Sequence, residues 1–549
     1  MRQIGLALLF ATILFGLRGY DYGANHHHEQ VLPFVIQLIQ PDAFAGDPYV
    51  ATTTQYPSLF PWIIARLAKT PHELERVMAA LHLINIFLIV SALMTLCGRI
   101  LNGKKHQILA VLLLLSASAL HRDSFLGTDE IYRAYADGST CAWAVMLWAA
   151  ALWIGRSYRI AFVLVGLAAN LNPLPALHVG VAFMIGCLLA DKRPWQERLR
   201  NATVHLLCMG IAAAPIFARI FMMPPHAQVA AGTALTALKE WFPLHSFPES
   251  WPKEKWATAI SYTSLYSYLL ATAPENLRSR LRTLWWGAWV LIAIGFLGRA
   301  IDAYSLIRLQ FFRADALLII VGTLLAAERA AQYLERPMVG DLLTACLLIS
   351  SSMIWSHWPL ALLALSAQLI NTHWPQGIFG KVRIPILMRP LLVAGWLSVV
   401  FLPQIILISQ RLLTRSWSTW DTQAGYRVEE WKSLAAWCRE NTKKDSLFIV
   451  PPDHPWGFRG LSWRPVVFEW VDGAAMHWDP SFAHIWSKRR ADFPVSADAR
   501  AQWSTLDPAY IRRLRDTYHA QYLVAPIQTS PLPFTLAWRG EYYCLYRLA

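Results

Sequence analysis

What most constrains this chain is a recurrence. Long apolar runs follow one another, separated by short loops rich in lysine and arginine. The runs fall at residues 4–20, 77–97, 107–120, 141–155, 174–190, 203–221, 284–299, 314–327, 339–355, 358–371 and 391–410. A helix needs about 20 mostly apolar residues to cross a bilayer, and a helix that is apolar all round must be buried in protein or in lipid. Of the 549 residues, 55% are hydrophobic and only 15% are charged, against about 25% charged in soluble domains. The pattern predicts an α-helical polytopic membrane bundle. Two further runs, 160–171 and 258–274, are short or rather polar.

The loops decide those two cases. Lysine and arginine collect in short cytoplasmic loops. The basic loops are 98–106, 155–159, 191–200, 275–282, 328–337 and 380–389. Placing all six on one side requires both weak runs to span. About thirteen transmembrane helices result, with the N-terminus cytoplasmic and the C-terminal end outside. The start, "MRQIGLALLFATILFGLRGYDYGA", has a basic residue and an apolar centre but no small-x-small cleavage site. It therefore reads as an uncleaved first helix rather than a removed signal.

Net charge is +14. The basic residues are scattered through short loops and form no continuous stripe, which argues against nucleic acid as a partner. Five of the seven cysteines sit in or beside apolar runs, without paired spacing, as buried thiols do. Cys438 and Cys544 lie in the polar C-terminal part and could pair if that part is extracytoplasmic.

Beyond residue 410 the texture changes. Residues 426–441 carry apolar positions at helical spacing. "SLFIVPP" (446–452), "RPVVFEW" (464–470), "AQYLVAP" (520–526) and "YYCLYRL" (542–548) read as strands. Residues 498–519 read as a helix broken near Pro508. The chain thus divides into a transmembrane domain, 1–410, with outer-face loops 18–76 and 121–140, and a C-terminal extracytoplasmic α/β domain, 411–549.

Several polar groups could carry chemistry. "GYDYGANHHHEQVLP" (19–33) puts Asp21, three histidines including His28, and Glu29 at the exit of the first apolar run. Such groups can act as general base, hold a metal or donate to a phosphate. A solvated loop that merely stops translocation is the bland alternative. Asp47 lies in "FAGDPYV", where a turn or cap carboxylate is the competing role. The second outer loop carries His121, Arg122, Asp123, Asp129 and Glu130. These form either an ion-pair network or a carboxylate-and-arginine site for a phosphate. Asn170, Asn172 and His178 sit at membrane depth, where polar groups face the bundle interior or a cavity. Arg308 and Arg313 stand at the end of a membrane helix, to meet a phosphate or to snorkel. A divalent metal stays open as a cofactor.

Taken together, a first helix, a long outer loop with an early acidic residue, a second acidic outer loop, a late arginine and a terminal α/β domain resemble the GT-C class of membrane glycosyltransferases. The stretch "WCRENTKKDSLFIVPPDHPWGFRGLSWRPVVFEW" (437–470) is similar to the soluble segment of such bacterial proteins. "EQVLP" (Glu29–Pro33) and Asp47–Tyr49 resemble features of the first outer loop in bacterial multi-pass proteins of this type. The resemblance implies a bacterial inner-membrane enzyme that transfers a sugar from a polyprenyl-phosphate carrier to an envelope glycan, lipid or protein on the periplasmic face, with inversion. It implies the catalytic base at Asp21, Glu29 or Asp47. It assigns substrate contacts to His28, Arg122, Asp123, Asp129, Glu130, His178, Arg308 and Arg313, and names a lipid-linked donor and membrane lipids as partners. Trp456, Trp463 and Trp478 could stack on sugars. No adjacent acidic pair closes the first helix, and "WWDYG" is absent, which disfavours asparagine as acceptor. A non-catalytic scaffold and a transporter or flippase are the alternatives. A transporter would need charges spread through the middle of several helices.

Overall fold

A computed structural model describes residues 2–549 apart from 24, 118–119, 121–123, 128–130, 191–192, 225–229, 354–356, 375–381, most of 386–426, 455, 494–502 and 549. The chain forms two compact units. One contains Met1–Gly19, His82–Ile216 and Pro243–Ser416, the other Tyr20–Leu81, Phe217–Phe242 and Trp417–Ala549. This grouping cuts the chain differently from a single boundary at residue 410. The first loop segment shares a unit with the C-terminal segment.

The first unit is a helical bundle. Helices Gly138–Ile154, Tyr158–Leu171, Pro173–Ala190 and Trp195–Ala212 pack in succession, and Lys253–Ala271, Glu275–Ala300, Asp315–Leu334, Val339–Met353 and Trp358–His373 continue the bundle. The apolar runs at 160–171 and 258–274 are both helical, as expected. Among the described residues, three helices are long and apolar enough to cross a membrane: Pro71–Ile100, Glu275–Ala300 and Tyr304–Leu334. A fourth candidate is the pair Trp195–Ala212 and Ala214–Phe221, bent by 68°. Shorter apolar helices include Ile4–Arg18, Gly138–Ile154, Tyr158–Leu171, Pro173–Leu189 and Val339–Met353. These helices support a membrane protein. Half of the run 391–410 lies outside the described residues, and the described half is helical.

The bend has a local cause. Pro215 supplies no backbone N–H, and its ring cannot continue the preceding helix. Across the bend, Ile216 N–H and the Ala212 carbonyl, which would pair in a continuous helix, bond elsewhere. The Asn170 side chain replaces both halves: Nδ2 donates to Ala212 O at 2.9 Å and Oδ1 accepts from Ile216 N at 3.1 Å. A broken helix at membrane depth requires such a substitute partner. Gly166 lets the two helices approach, because a Cβ there would run into the Met209 backbone carbonyl.

The second unit carries a four-stranded sheet in the order β1-β2-β4-β3, with β1 Phe448–Ile449, β2 Tyr522–Pro526, β3 Thr535–Arg539 and β4 Tyr543–Arg547. β1 runs parallel to β2, pairing Phe448 with Tyr522. β2 and β3 flank β4 antiparallel, and the β3–β4 register shifts between Leu536 and Trp538. Residues 464–470 do not form the expected strand. Val466 makes a single bridge to Phe448, and a 3-10 helix, Trp470–His477, follows. Asp507 caps the helix Pro508–Tyr518, so Pro508 begins that helix at its first position rather than breaking it. Against the sheet packs the helix Val428–Asn441, whose Trp431, Leu434 and Cys438 are buried with Phe448, Val524 and Leu545. Its Glu430 accepts from Tyr542 N and Tyr543 N at 2.8 and 2.9 Å, which fixes the start of β4. Both Cys438 and Cys544 are free thiols. Burial pushes the Cys438 pKa up to about 12.

Candidate functional site

In the second unit the helices Asn25–Ile39 and Phe458–Ser462 pack together, and the former also meets the 3-10 helix Trp470–His477. This contact brings residues some four hundred positions apart in sequence around one guanidinium. Arg459 is fully buried. Its Nε donates to Asp47 Oδ2 at 2.7 Å, and one terminal nitrogen donates to Glu469 Oε2 at 2.7 Å and Asp472 Oδ1 at 2.8 Å. The other terminal nitrogen reaches Asp472 Oδ2 at 3.1 Å and the Val466 carbonyl at 3.4 Å. Four residues from two distant segments of chain therefore converge on one side chain.

Each carboxylate is also tied to backbone. Asp47 caps the short helix Pro48–Ala51: its Oδ1 accepts from Tyr49 N and Val50 N, and its Oδ2 accepts from Val466 N at 3.2 Å. Glu469 Oε1 accepts from Phe458 N at 2.6 Å and Arg459 N at 3.2 Å. Asp472 Oδ2 accepts from Glu469 N at 3.2 Å. The guanidinium also lies over the Tyr49 ring, 5.1 Å from its centroid. Both Asp47 oxygens are thus engaged, and the residue is an anchor in this structure.

The cluster sets three buried carboxylates around the Arg459 guanidinium, with Arg489 also near Asp47 and Asp472. Burial would lower the Arg459 pKa, but Asp47, Asp472 and Glu469 hold it well above its ordinary value. The carboxylates respond oppositely. Burial raises Glu469 to about 7, with Arg459 opposing and Asp472 adding to the rise. Asp472 is raised by burial as well. An ionised carboxylate in low dielectric is favoured only as far as cations and donors compensate it, and for Glu469 and Asp472 burial outweighs the Arg459 charge and the backbone donors.

Glu29 adjoins this cluster. It is buried, its backbone and side chain press on Gly457, and burial followed by repulsion from Glu469 and Asp472 raises its pKa well above the usual carboxylate range. A carboxyl with raised proton affinity is one kind of group that general acid–base work uses. Asp21 is buried close to the chain turn that leads into the helix. His28 closes that turn: its Nδ1 accepts the Gly23 N–H at 3.2 Å, which leaves the ring proton on Nε2. Gly23 adopts φ +76° with the Leu461 side chain against it, a conformation and a space that suit only glycine.

The tryptophans separate by burial. Trp456 and Trp478 are core residues, Trp478 packing on Phe34, Tyr49 and Tyr56. Trp463 is half-buried at φ 56°, with Arg439 over its ring and His72 at its edge. Arg464 fixes this turn by donating to the carbonyls of Arg439, Thr442 and Trp463, which also caps the end of the Val428–Asn441 helix.

The other sequence candidates fall in the first unit. His178 is buried and its Nε2 lies 2.9 Å from the Leu309 carbonyl. Arg313 is buried and donates to Gln310 Oε1 at 2.8 Å. Arg308 is half-buried. Asn172 caps the next helix by accepting from Leu174 N. Nearby, Asp315 is fully buried and accepts from Leu126 N at 2.6 Å and Gly127 N at 3.2 Å, joining the second loop to the start of the Asp315–Leu334 helix. Arg122, Asp123, Asp129 and Glu130 lie outside the described residues, as do His121 and the side chains of His26 and His27. Among the described residues, no group of three or more His, Cys, Asp or Glu side chains is arranged to hold a metal ion.

Sequence reasoning singled out Asp47 and Glu29 but missed Arg459, Glu469 and Asp472. The available signal was four charges, Arg459, Arg464, Glu469 and Asp472, inside an otherwise apolar stretch, "GFRGLSWRPVVFEWVDGAAM". Charged groups that remain in such a stretch are paired. A family described as a domain of unknown function, DUF6798, matches residues 429–493, which carry Arg459, Glu469 and Asp472. No curated protein matches the chain.

Proposed function

We propose that the chain is a GT-C-type membrane glycosyltransferase with about thirteen spans. It transfers a sugar from a polyprenyl-phosphate carrier to an envelope acceptor on the periplasmic face. The observation that carries this reading is the second unit: the segment leaving the first helix and the C-terminal segment fold together around Arg459. They therefore share a compartment, as a catalytic loop and a terminal domain on one side of a membrane must. In the reaction, a carboxylate takes the proton of the acceptor hydroxyl. The oxygen bonds to the anomeric carbon from one face while the carbon–oxygen bond to the lipid phosphate breaks on the other. The carrier leaves as the phosphate anion. Glu29, with its raised proton affinity, is the favoured base and Asp21 the second; Asp47 is engaged by Arg459 and serves as anchor.

The test replaces Glu29 and Asp21 singly by the amide in cells that lack their own copy, at matched protein level. The expected result is loss of one envelope glycan and accumulation of its lipid-linked sugar donor. Unchanged glycan and donor profiles in both variants would sink the enzyme reading. One observation favours a second reading, a non-catalytic scaffold: three of the buried carboxylates serve a structural arginine. A scaffold predicts that only variants that unfold the second unit, such as Arg459→Met, disturb the glycan.

A further inference from the structure

The exposed large apolar side chains of the second unit are not scattered. Ile63 and Leu67 lie on the helix Phe60–Leu67, and Phe217, Ile220, Phe221 and Met222 lie on the helix Ala214–Met222. Phe221 is 86% exposed and Met222 77%. In the C-terminal segment, the described residues add only Ile485 and Leu536. Soluble surfaces seldom gather such residues in one place without a partner.

Arg219 holds the two helices together. Its nitrogens donate to the carbonyls of Tyr56, Thr53 and Thr54 at 3.2, 3.0 and 3.1 Å, and its guanidinium carbon lies 3.5 Å from the centroid of the Trp62 ring. The Phe60–Leu67 helix buries Phe60, Pro61 and Ile64 on one side, where it packs on Asn25–Ile39. Its opposite side presents Ile63, Arg66 and Leu67, spaced three and four apart, with Lys69 just beyond. An outward face that is apolar and edged by basic groups fits the boundary between headgroups and acyl chains.

The chain itself points to lipid as the occupant. The Phe60–Leu67 helix leads directly into the candidate span Pro71–Ile100. The Ala214–Met222 helix is the second arm of the pair bent by 68° at Ala213. At 1.5 Å per residue its nine residues reach about 14 Å, roughly half of a 30 Å hydrocarbon core. That arm is too short to cross. We infer that Ile63, Leu67, Phe217, Ile220, Phe221 and Met222 form a monotopic foot by which the second unit inserts into one leaflet, with Arg66 and Lys69 against anionic headgroups. This inference rests on membrane residence and is independent of the glycosyltransferase reading.

The experiment places cysteines singly at Leu67, Phe221 and Leu536 in the full chain, reconstituted in vesicles of phosphatidylcholine and phosphatidylglycerol. Each is labelled with an environment-sensitive fluorophore, and labelling of the unaltered chain is subtracted. Nitroxide lipids spin-labelled near the headgroup should quench the labels at 67 and 221 several-fold more than the label at 536. Aqueous iodide should show the reverse order. Labels at 67 and 221 as accessible to iodide as the one at 536 would overturn the inference. Protection from both quenchers would overturn it equally, because a protein surface or a second copy would then be the occupant. Glycan profiles play no part in the readout, so its failure and that of the catalytic reading are separable.

Discussion

Replacing Arg459 by methionine tests the central cluster most directly. The substitution keeps an unbranched chain of similar reach but removes the guanidinium, and with it every bond that Asp47, Glu469 and Asp472 share with it. Breaking a buried pair from one side costs about 3–5 kcal/mol, because the remaining charge stays buried and uncompensated. Here three carboxylates lose the same cation, so the upper end, about 5 kcal/mol, is the expected loss at pH 8. For a unit of this size each kcal/mol moves the midpoint by roughly 2–4 °C, giving a fall of about 10–20 °C. The assay is thermal unfolding of the full chain in detergent, followed by tryptophan fluorescence. The decisive feature is pH. Without the guanidinium the carboxylates take up protons more readily, so the deficit should shrink at pH 5. A variant that melts within about 3 °C of the parent at pH 8, roughly 1 kcal/mol, would refute the argument. So would a deficit that stays the same at both pH values.

Three further outcomes follow from individual residues. The unaltered protein itself should lose stability as pH rises. Glu469 holds its proton more tightly folded, about 7, than unfolded, 4.5, so its contribution is full below about pH 4.5 and is lost as pH passes 7. That shift is worth on the order of 3 kcal/mol, and Glu469→Gln should flatten the slope of midpoint against pH. Gly457→Ala would set a Cβ 2.5 Å from Glu29 Cγ and 3.2 Å from its Cα, so backbone must move; a loss of about 1–3 kcal/mol is expected, read as a lower midpoint in the same scan. Asn170→Leu removes both bonds that bridge Ala212 and Ile216, each worth about 0.5–1.5 kcal/mol; faster hydrogen exchange at Ile216 is the checking measurement, and unchanged exchange would count against the bridge.

Much of the helical architecture was legible in the sequence because it depends on local pattern. Apolar runs at helical length predicted the helices of the bundle, and both weak runs proved helical. The strand at 464–470 failed for a definable reason. A short apolar run was read as a strand, but Glu469 and Asp472 cap each other's turn and bind Arg459, so the segment leaves the sheet after one bridge. β3 was missed because its pattern is mostly exposed and carries no periodic burial.

The candidate site divides the same way. Asp21, Glu29 and Asp47 stood out as carboxylates in an acidic loop of an otherwise apolar chain, and chain position alone placed them after the first helix. Nothing local could tell that Asp47 is an anchor for Arg459. That role depends on Arg459, which lies more than four hundred residues from Asp47 in sequence. Composition and periodicity determine that this chain is helical, apolar and suited to a bilayer, because those properties add residue by residue. Which carboxylate is neutralised, which proton is held, and which segments make one folding unit are decided only in three dimensions. A buried charge takes its energy from whatever is within a few ångströms, and the sequence does not record that distance.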